Sequence, residues 1–279
     1  MNKSESHRRA ISVVKTLPAI LWALAILVPI SFLVIISLRT RAQYAANPLA
    51  LPETPSLNNF ATAWLKADLG SAFLNTLIVT VVAIAGVVFF ASLAAYAIVR
   101  WTGRSGNRIY IYFIVGLIVP FQLGLPTLYK IWAQAGLVDS LGGVILIHIG
   151  AGLPLAIFLY SGFMRTVPIE LEESARIDGA GDIRIYRSIV FPLLRPVTAT
   201  VIILTGISVW NDLLVSLYFL QSSGAKTLPK ATMAFLSAYS SDMPVIFACA
   251  ILSVIPVIVL FVGLQRFFMS GLTMGALRG

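Results

Sequence analysis

The chain has 279 residues, of which 58% are hydrophobic and only 11% are charged, and its net charge is +9. Together with a mean hydropathy of +0.92, these values exclude an ordinary soluble domain and leave one very large apolar core or several membrane spans. The single cysteine, Cys249, cannot form an intrachain disulfide, and we interpret it as a buried packing residue.

Six apolar runs favour membrane spans. Each is long enough to cross about 30 Å of hydrocarbon, which takes about 20 helical residues. Only the fifth run contains an acidic residue, Asp212, and none has Lys or Arg in its middle. The sequence therefore predicts an all-α fold, a polytopic membrane protein with six transmembrane helices. The predicted spans are residues 16–38, 72–99, 109–129, 141–164, 196–220 and 244–264.

The first span follows a basic start, as the apolar core of a cleaved signal peptide would. Its run of about 22 residues is too long for such a core. Arg39 and Arg41 follow it directly, so we predict a retained helix.

The distribution of Lys and Arg predicts the orientation, because cytoplasmic loops carry an excess of both residues. Fourteen of the 20 lie in the N-terminal tail, the loops after the second and fourth spans, and the C-terminal segment. Both termini and the loop 165–195 are therefore predicted to be cytoplasmic, and the net charge needs no nucleic-acid partner. We divide the chain into a cytoplasmic tail 1–15, a transmembrane domain 16–268 and a cytoplasmic tail 269–279.

Local signals also mark the segments in and between the spans. The external loop 39–71 contains three prolines, and its second half predicts a short surface helix before the second span. Residues 101–108 are short and basic and predict a tight cytoplasmic turn. Pro120 and Pro126 are predicted to kink the third span. The glycine-rich fourth span is predicted to be central to the bundle, because small residues let helices approach closely.

The charge that the spans lack is concentrated in "ELEESARIDGAGDIRIYRSIVFPLL", residues 170–194. Five of the 11 acidic residues fall between Glu170 and Asp182. Pro168 suits the first turn of a helix, and the glutamates that follow lie where the helix dipole favours anions. Arg176 is within reach of Glu172 and Glu173 for side-chain pairs.

A second short helix is predicted to follow the first. Gly179 can stop the first helix by taking the left-handed backbone conformation. Asp182 suits the N-cap of a helix over residues 183–190, and Pro192 and Pro196 separate that helix from the fifth span. Residues 168–192, which we call the charged hairpin, are thus predicted to be two short helices that meet at a glycine elbow.

Helices this short are marginal alone in water, so something must cover the apolar side chains of the hairpin. These side chains are Ile177, Ile183, Tyr186 and Ile189. One alternative is a hairpin that rests on lipid headgroups or on the base of the bundle, but such surface helices are usually rich in Lys and Arg. The balance of acids and arginines favours docking into the groove of a cytoplasmic protein.

The hairpin also resembles the EAA loop of the permeases of binding-protein-dependent ABC importers, with the signature E-A-A-x3-G-x9-I-x-L-P. The residues at those spacings are, without a gap, Glu173, Ser174, Ala175, Gly179, Ile189, Phe191 and Pro192. Ser174 in place of Ala and Phe191 in place of Leu are mild departures. The resemblance covers nearly the whole chain, including "WNDLL" in the fifth span and the tail "GLTMGALRG". It is to the carbohydrate-uptake branch, specifically the maltose-type second permease subunit.

The resemblance implies a permease subunit of an ATP-driven sugar importer in a bacterial cytoplasmic (inner) membrane, which is not itself an enzyme. The hairpin would sit in a cleft on a dimer of cytoplasmic ABC ATPase subunits, whose closure moves the spans as rigid bodies. The other implied partners are a second, homologous permease chain, an extracytoplasmic solute-binding protein and the lipid bilayer. ATP and Mg²⁺ would be bound by the ATPase, so this chain would need no cofactor of its own.

The resemblance also implies which residues act. Those expected to couple to the ATPase are Glu172, Glu173, Ser174, Ala175, Asp178, Gly179, Ile189 and Pro192. The tail residues expected to reach toward the ATPase dimer interface are Gly271, Thr273 and Gly275.

Asp212 is the one acid inside a predicted span, and an intramembrane ionisable group needs a polar partner or water. It is either a hydrogen-bonded structural group that faces the second permease chain or, with Trp210 and Asn211, part of a sugar pathway. His148 is interpreted as a packing residue rather than a proton relay. The remaining polar residues that either line the pathway or bridge helices are Asn75, Thr76 and Gln122.

Two other classes of function fit the sequence less well. An ion-coupled secondary transporter or channel usually shows broken-helix repeats and several intramembrane acids, whereas the predicted spans contain one acid and no visible repeat. A membrane enzyme would need an acid–base pair or a nucleophile, and no such set, metal-ligand cluster or phosphate-binding loop is recognisable. Within the leading class, polyols and glycerol phosphates are alternatives to sugars.

Overall fold

The computed structural model describes the backbone of residues 3–101, 104–222 and 224–276. Side chains are described for residues 18–101, 105–222, 224–256, 258, 259 and 262. Within these ranges every regular element is helical, which confirms the predicted all-α fold. The helices are α1 (Lys3–Ser37), α2 (Arg41–Ala46), α3 (Asn58–Lys66), α4 (Leu69–Arg100), α5 (Arg104–Ile118), α6 (Leu125–Gln134), α7 (Leu141–Met164), α8 (Glu170–Ile177), α9 (Asp182–Ile185), α10 (Phe191–Leu193), α11 (Arg195–Trp210), α12 (Leu214–Phe219), α13 (Leu228–Ala238) and α14 (Met243–Ala276).

Two short segments between these helices have a helical geometry other than α. A 3₁₀ turn, Phe121–Gly124, lies between α5 and α6, and a π-helical turn, Tyr186–Val190, lies between α9 and α10. By their internal contacts, the described residues form two compact units. The first comprises residues up to Leu69 together with Thr232–Ile255, and the second comprises Gly70–Ala231 together with residues from Pro256 onward. The charged hairpin belongs to the second unit.

Arg39 organises the segment that follows α1 in the first unit. Its side chain is only 2% exposed, and its guanidinium donates hydrogen bonds to three backbone carbonyls within residues 43–48. Asn59 of α3 donates in turn to the carbonyls of Ser37 and Arg39. These acceptors offset the lost hydration of the two terminal nitrogens, whereas the buried Nε has no hydrogen-bond partner among the described residues, and the cation has a structural role. Helix α3 confirms the short helix that was predicted in this loop.

The described helices include several that could cross a membrane. By length and composition, three can do so unaided, namely Pro18–Ser37 of α1, α4 and α7. Two further candidates are pairs of helical segments that bend at a short break, by 87° between Ser105–Ile118 and Phe121–Gln134 and by 75° between Asp182–Leu193 and Arg195–Trp210. Met243–Pro256 of α14 is a shorter apolar helix. The prediction of a polytopic helical membrane protein is confirmed, while the number of six spans stays a prediction.

Two predicted spans are not single helices. In the third, α5 ends at Ile118, because Pro120 has no N–H with which to continue the helix. Pro126 does not kink the chain, because it lies in the first turn of α6, where the missing N–H costs nothing. In the fifth, α11 ends at Trp210 and the chain resumes as a helix only at Leu214. The fourth predicted span, by contrast, coincides with α7.

Two glycines let α4 and α7 interlock. A Cβ on Gly152 of α7 would lie 2.8 Å from Cγ2 of Val87 on α4, and a Cβ on Gly86 of α4 would lie 2.8 Å from Cγ1 of Ile149 on α7. Each helix therefore sets a β-branched side chain against a glycine of the other, and Val87 is fully buried there. Helix α7 also contacts α5, α11 and α12, so it packs against several helices of the second unit, while its central place in the whole bundle stays a prediction.

Candidate functional site

The first half of the charged hairpin ends at the predicted glycine elbow. Helix α8 begins at Glu170. Pro168 therefore precedes the helix, whereas the sequence analysis placed it in the first turn. The helix closes with a hydrogen bond of 2.9 Å from the N–H of Ala180 to the carbonyl of Ala175. Gly179 has a φ of +82°, in the left-handed region that favours glycine. The elbow is therefore confirmed.

The second half of the hairpin differs from the prediction. Gly181 is the N-cap of α9, and Asp182 is the first residue of the helix. The carboxylate of Asp182 instead accepts a hydrogen bond of 3.1 Å from Arg176, across the elbow. Helix α9 runs directly into the π-helical turn and α10, so the helix expected over 183–190 is present within the helical segment Asp182–Leu193, but it is π-helical from Tyr186 to Val190.

Contacts with α4 accompany this irregular second half. The hydroxyls of Tyr186, in the π-helical turn, and Ser92, on α4, share a hydrogen bond of 2.7 Å. The ring centroid of Tyr186 also lies 5.3 Å from that of Tyr96. Both partners are about 90 residues away in the sequence, so a pattern within the hairpin does not reveal them. The apolar residues Tyr186 and Ile189 are covered in part by the chain itself.

Glu172 is the one acid of the hairpin that is fully buried. Its Oε1 accepts a hydrogen bond of 2.7 Å from Nε of Arg100, and its Oε2 accepts one of 3.0 Å from the hydroxyl of Tyr96. Arg100 also donates to the carbonyl of Val167 at 3.3 Å. The expected pair of Glu172 with Arg176 is therefore wrong. A carboxylate with no exposure needs a cation and hydrogen-bond donors beside it, and α4 supplies both.

The outer surface of the hairpin carries uncovered apolar residues. Ile177 and Ile183, on either side of the elbow, are 87% and 84% exposed. Beside Ile183 is an open groove, which is lined by Gly181, Asp182, Ile183, Arg184, Arg187 and Ser188. Two large aliphatic side chains next to a charged groove are typical of a surface that another molecule covers.

The predicted coupling residues divide by exposure. Glu173, Ser174, Asp178 and Gly179 are exposed; Ala175, Ile189 and Pro192 are partly buried; Glu172 is buried. Glu172 therefore faces the interior of this chain, away from any docked protein. The tail residues Gly271, Thr273 and Gly275 lie on the helical backbone of α14, and their side chains, like residues 277–279, lie outside the described part of the chain.

Comparison with known proteins identifies the family. Residues 88–273 match the family described as "Binding-protein-dependent transport system inner membrane component". The chain belongs to this family. It is therefore a permease, a multi-pass protein of the inner membrane, and the matched region contains the entire charged hairpin.

Two relatives and one solved structure are similar over most of their length. The permease is 37% identical over 265 residues to the melibiose/raffinose/stachyose import permease protein MelC of Bacillus subtilis, with 95% of this chain and 96% of MelC covered. It is 30% identical over 261 residues to the diacetylchitobiose uptake system permease protein NgcG of Streptomyces coelicolor, with 93% and 86% covered. A chain from the crystal structure of a bacterial ABC transporter for alginate import has the same fold, with a TM-score of 0.79 at 22% identity and coverage of 96% and 99%.

Three predicted pathway residues of the permease lie at the break between α11 and α12: Trp210 is the last residue of α11, and Asn211 and Asp212 follow it. Oδ2 of Asp212 accepts a hydrogen bond of 3.0 Å from the N–H of Val215, and so caps α12. It also lies 3.8 Å from Nε2 of His148. His148 is buried in α7, in keeping with the packing role expected of it. Trp210 is buried and Asn211 is exposed. The capping bond favours a structural role for Asp212, and its place on a pathway stays a prediction.

The remaining predicted pathway residues have separate surroundings. Asn75 donates a hydrogen bond of 3.0 Å to the carbonyl of Lys226, and the hydroxyl of Thr76 accepts one of 2.7 Å from the N–H of Leu228. Both side chains thus tie α4 to the start of α13 and the residues just before it, which favours a bridging role. Gln122 is exposed in the 3₁₀ turn.

Asp139, which the sequence analysis did not single out, holds the loop at Gln221 and Ser222. Its Oδ1 accepts hydrogen bonds of 2.9 Å from the backbone N–H groups of Gln221 and Ser222. These bonds, chiefly the one from Ser222, lower the pKa of the Asp139 carboxyl. Its φ is +61°, a conformation that Asp tolerates better than most residues. In the sequence, the one local feature that could have pointed to Asp139 is its place in the polar turn just before α7.

Proposed function

We propose that this permease is one of two transmembrane subunits of an ATP-driven importer for a sugar or sugar derivative. The exposed elbow of the charged hairpin, inside the region that matches the family, is the observation that carries the proposal. The printed names of MelC and NgcG assign both relatives to sugar uptake, which supports a sugar rather than another solute. An extracytoplasmic binding protein would deliver the sugar, as the family description implies.

The hairpin is the proposed contact with a dimer of cytoplasmic ABC ATPase subunits. Ile177 and Ile183 would enter an apolar cleft, while Glu173 and the arginines of the groove would meet polar groups at its rim. Closure of the dimer would then displace the hairpin, and the packed helices would follow as rigid bodies to change the side from which the pathway is open. ATP and Mg²⁺ would be bound by the ATPase, so hydrolysis is not a reaction of the permease.

Two substitutions test the docking role of the hairpin. Gly179→Pro cannot keep a φ of +82°, because proline is restricted to about −65°. Glu173→Lys reverses an exposed charge next to the elbow. Both variants should insert normally into the membrane but lose copurification of the ATPase or its stimulation by substrate. Glu53→Lys makes the same change at an exposed residue of the loop 39–71, which is not part of the hairpin, and should behave like the unaltered chain. Normal copurification and stimulated hydrolysis in both hairpin variants would show that the docking assignment is wrong.

A transport assay tests the importer class. The assay uses proteoliposomes that contain the complete complex, with the binding protein added. They should accumulate one solute of a radiolabelled panel that comprises raffinose, diacetylchitobiose, sorbitol and glycerol 3-phosphate. Uptake should require enclosed ATP and be unaffected by collapsing proton and sodium gradients. Uptake driven by an ion gradient without ATP would instead support a secondary transporter.

A further inference from the structure

The contacts of the hairpin with α4 lie on one face of that helix. Ser92, Tyr96 and Arg100 are spaced four residues apart, so they stack along the same side of its last turns. Ser92 bonds to Tyr186, and the other two bond to Glu172. Both halves of the hairpin are therefore attached to α4, one through Tyr186 and the other through Glu172.

Helix α4 is suited to carry a displacement over a long distance. It runs without interruption from Leu69 to Arg100. Its 32 residues make a rod about 48 Å long, longer than the hydrocarbon thickness of a membrane. A movement applied at Arg100 is thus delivered to the opposite end of the same helix.

The pair of Glu172 and Arg100 resists separation. The Glu172 side chain has no exposure and that of Arg100 has only 16%. If the hairpin moved without α4, the carboxylate would be left unpaired in a buried site, which is strongly unfavourable. An exposed pair, such as Arg176 with Asp182 at 48% and 75% exposure, can open into water at little cost. The hairpin and the end of α4 therefore move together.

We propose that Glu172 is a positioning residue that transfers the displacement of the charged hairpin to α4 through Arg100 and Tyr96. The proposal rests on the proposed function, because the ATPase supplies the displacement. Adjacent acids then have different tasks: Glu173 faces the ATPase and Glu172 faces α4. The family resemblance alone assigned both residues to coupling with the ATPase.

The experiment uses two measurements on the complex of the permease, the second permease chain and the ATPase in lipid nanodiscs. Copurification of the ATPase reports docking. Movement of α4 is reported by the fluorophore bimane on Leu74→Cys, in a Cys249→Ser background, because Leu74 is exposed and lies near the end of α4 opposite Arg100. Bimane emission is compared without nucleotide and with Mg-ATP and vanadate.

Glu172→Gln removes the charge and nearly keeps the shape. We expect the ATPase to copurify, while the nucleotide-dependent change in bimane emission falls about tenfold. Tyr96→Phe removes one hydrogen bond and leaves the ion pair, so it should give a smaller reduction. Glu170→Gln is the matched control, because it makes the same change at an exposed acid of the same helix, and it should leave both measurements unchanged.

Each other outcome has a defined meaning. A full bimane response in Glu172→Gln would overturn the proposal, since the helix would move without the pair. If Glu172→Gln does not assemble, Tyr96→Phe decides: a reduced response with a bound ATPase supports the proposal, and a full response overturns it. If the unaltered permease does not copurify with the ATPase, the proposed function fails instead.

Discussion

Gly152→Ala tests the interlock between α4 and α7. The new Cβ would lie 2.8 Å from Cγ2 of Val87, whereas carbon atoms in contact are normally about 3.5–4.0 Å apart. The two helices, or the Val87 side chain, must therefore shift by about 0.7–1.2 Å. Val87 is fully buried and β-branched, so it cannot turn aside freely.

The sign of the effect follows from two opposing contributions. Overpacking of this kind costs about 1–3 kcal/mol, and the better helix propensity of alanine offsets about 0.8–1.0 kcal/mol of it. Gly152→Ala should thus lower the free energy of unfolding by up to about 2 kcal/mol. A Cβ on Gly150, two residues earlier in α7, has nothing within 4 Å. Gly150→Ala should therefore be neutral or stabilising by up to about 1 kcal/mol.

Unfolding of the purified permease in mixed micelles, with an increasing fraction of sodium dodecyl sulfate, measures these free energies. Val87→Ala makes room for the new methyl group, so the double variant Gly152→Ala/Val87→Ala should be more stable than the sum of the single effects predicts. The reasoning is refuted if Gly152→Ala is as stable as Gly150→Ala, or if the two changes are strictly additive.

Three further predictions concern polar residues outside the hairpin. Arg39→Lys keeps the charge but not the planar fork that reaches three carbonyls, so it should lower the free energy of unfolding by about 2–3 kcal/mol in the same titration; an unchanged value would contradict its structural role. The lowered pKa of Asp139 stabilises the folded loop above the unfolded pKa of about 3.9, and this stabilisation is lost as the pH falls through the folded value. The protection factors of the Gln221 and Ser222 amides against hydrogen exchange should therefore fall in strong acid in the unaltered permease, but change little in Asp139→Asn. Asp212→Ala should cost about 1 kcal/mol through the lost cap, and Asp212→Asn, which keeps an acceptor, a few tenths. Lost transport in a stable Asp212→Asn variant would place Asp212 on the pathway and contradict a purely structural role.

The composition and the spacing of the chain were sufficient for the fold class and for the place of the hairpin. Apolar runs of membrane length and the asymmetry of Lys and Arg are properties of contiguous sequence. The glycine elbow is also a property of contiguous sequence. Helices commonly end at a residue in the left-handed conformation, and Gly179 adopts it with a φ of +82°. The signature from Glu173 to Pro192 added the family, which the match over residues 88–273 confirms.

Only the tertiary structure decided how each side chain of the hairpin is used. Glu172 and Glu173 are adjacent, carry the same charge and were both expected to couple to the ATPase, yet one is buried against α4 and the other is exposed. The π-helical turn, absent from the prediction, lies where Tyr186 meets Ser92. These outcomes depend on a helix more than 70 residues earlier in the chain. Local patterns report periodicity and caps, whereas the partner of a buried charge is set by which helices the fold brings together.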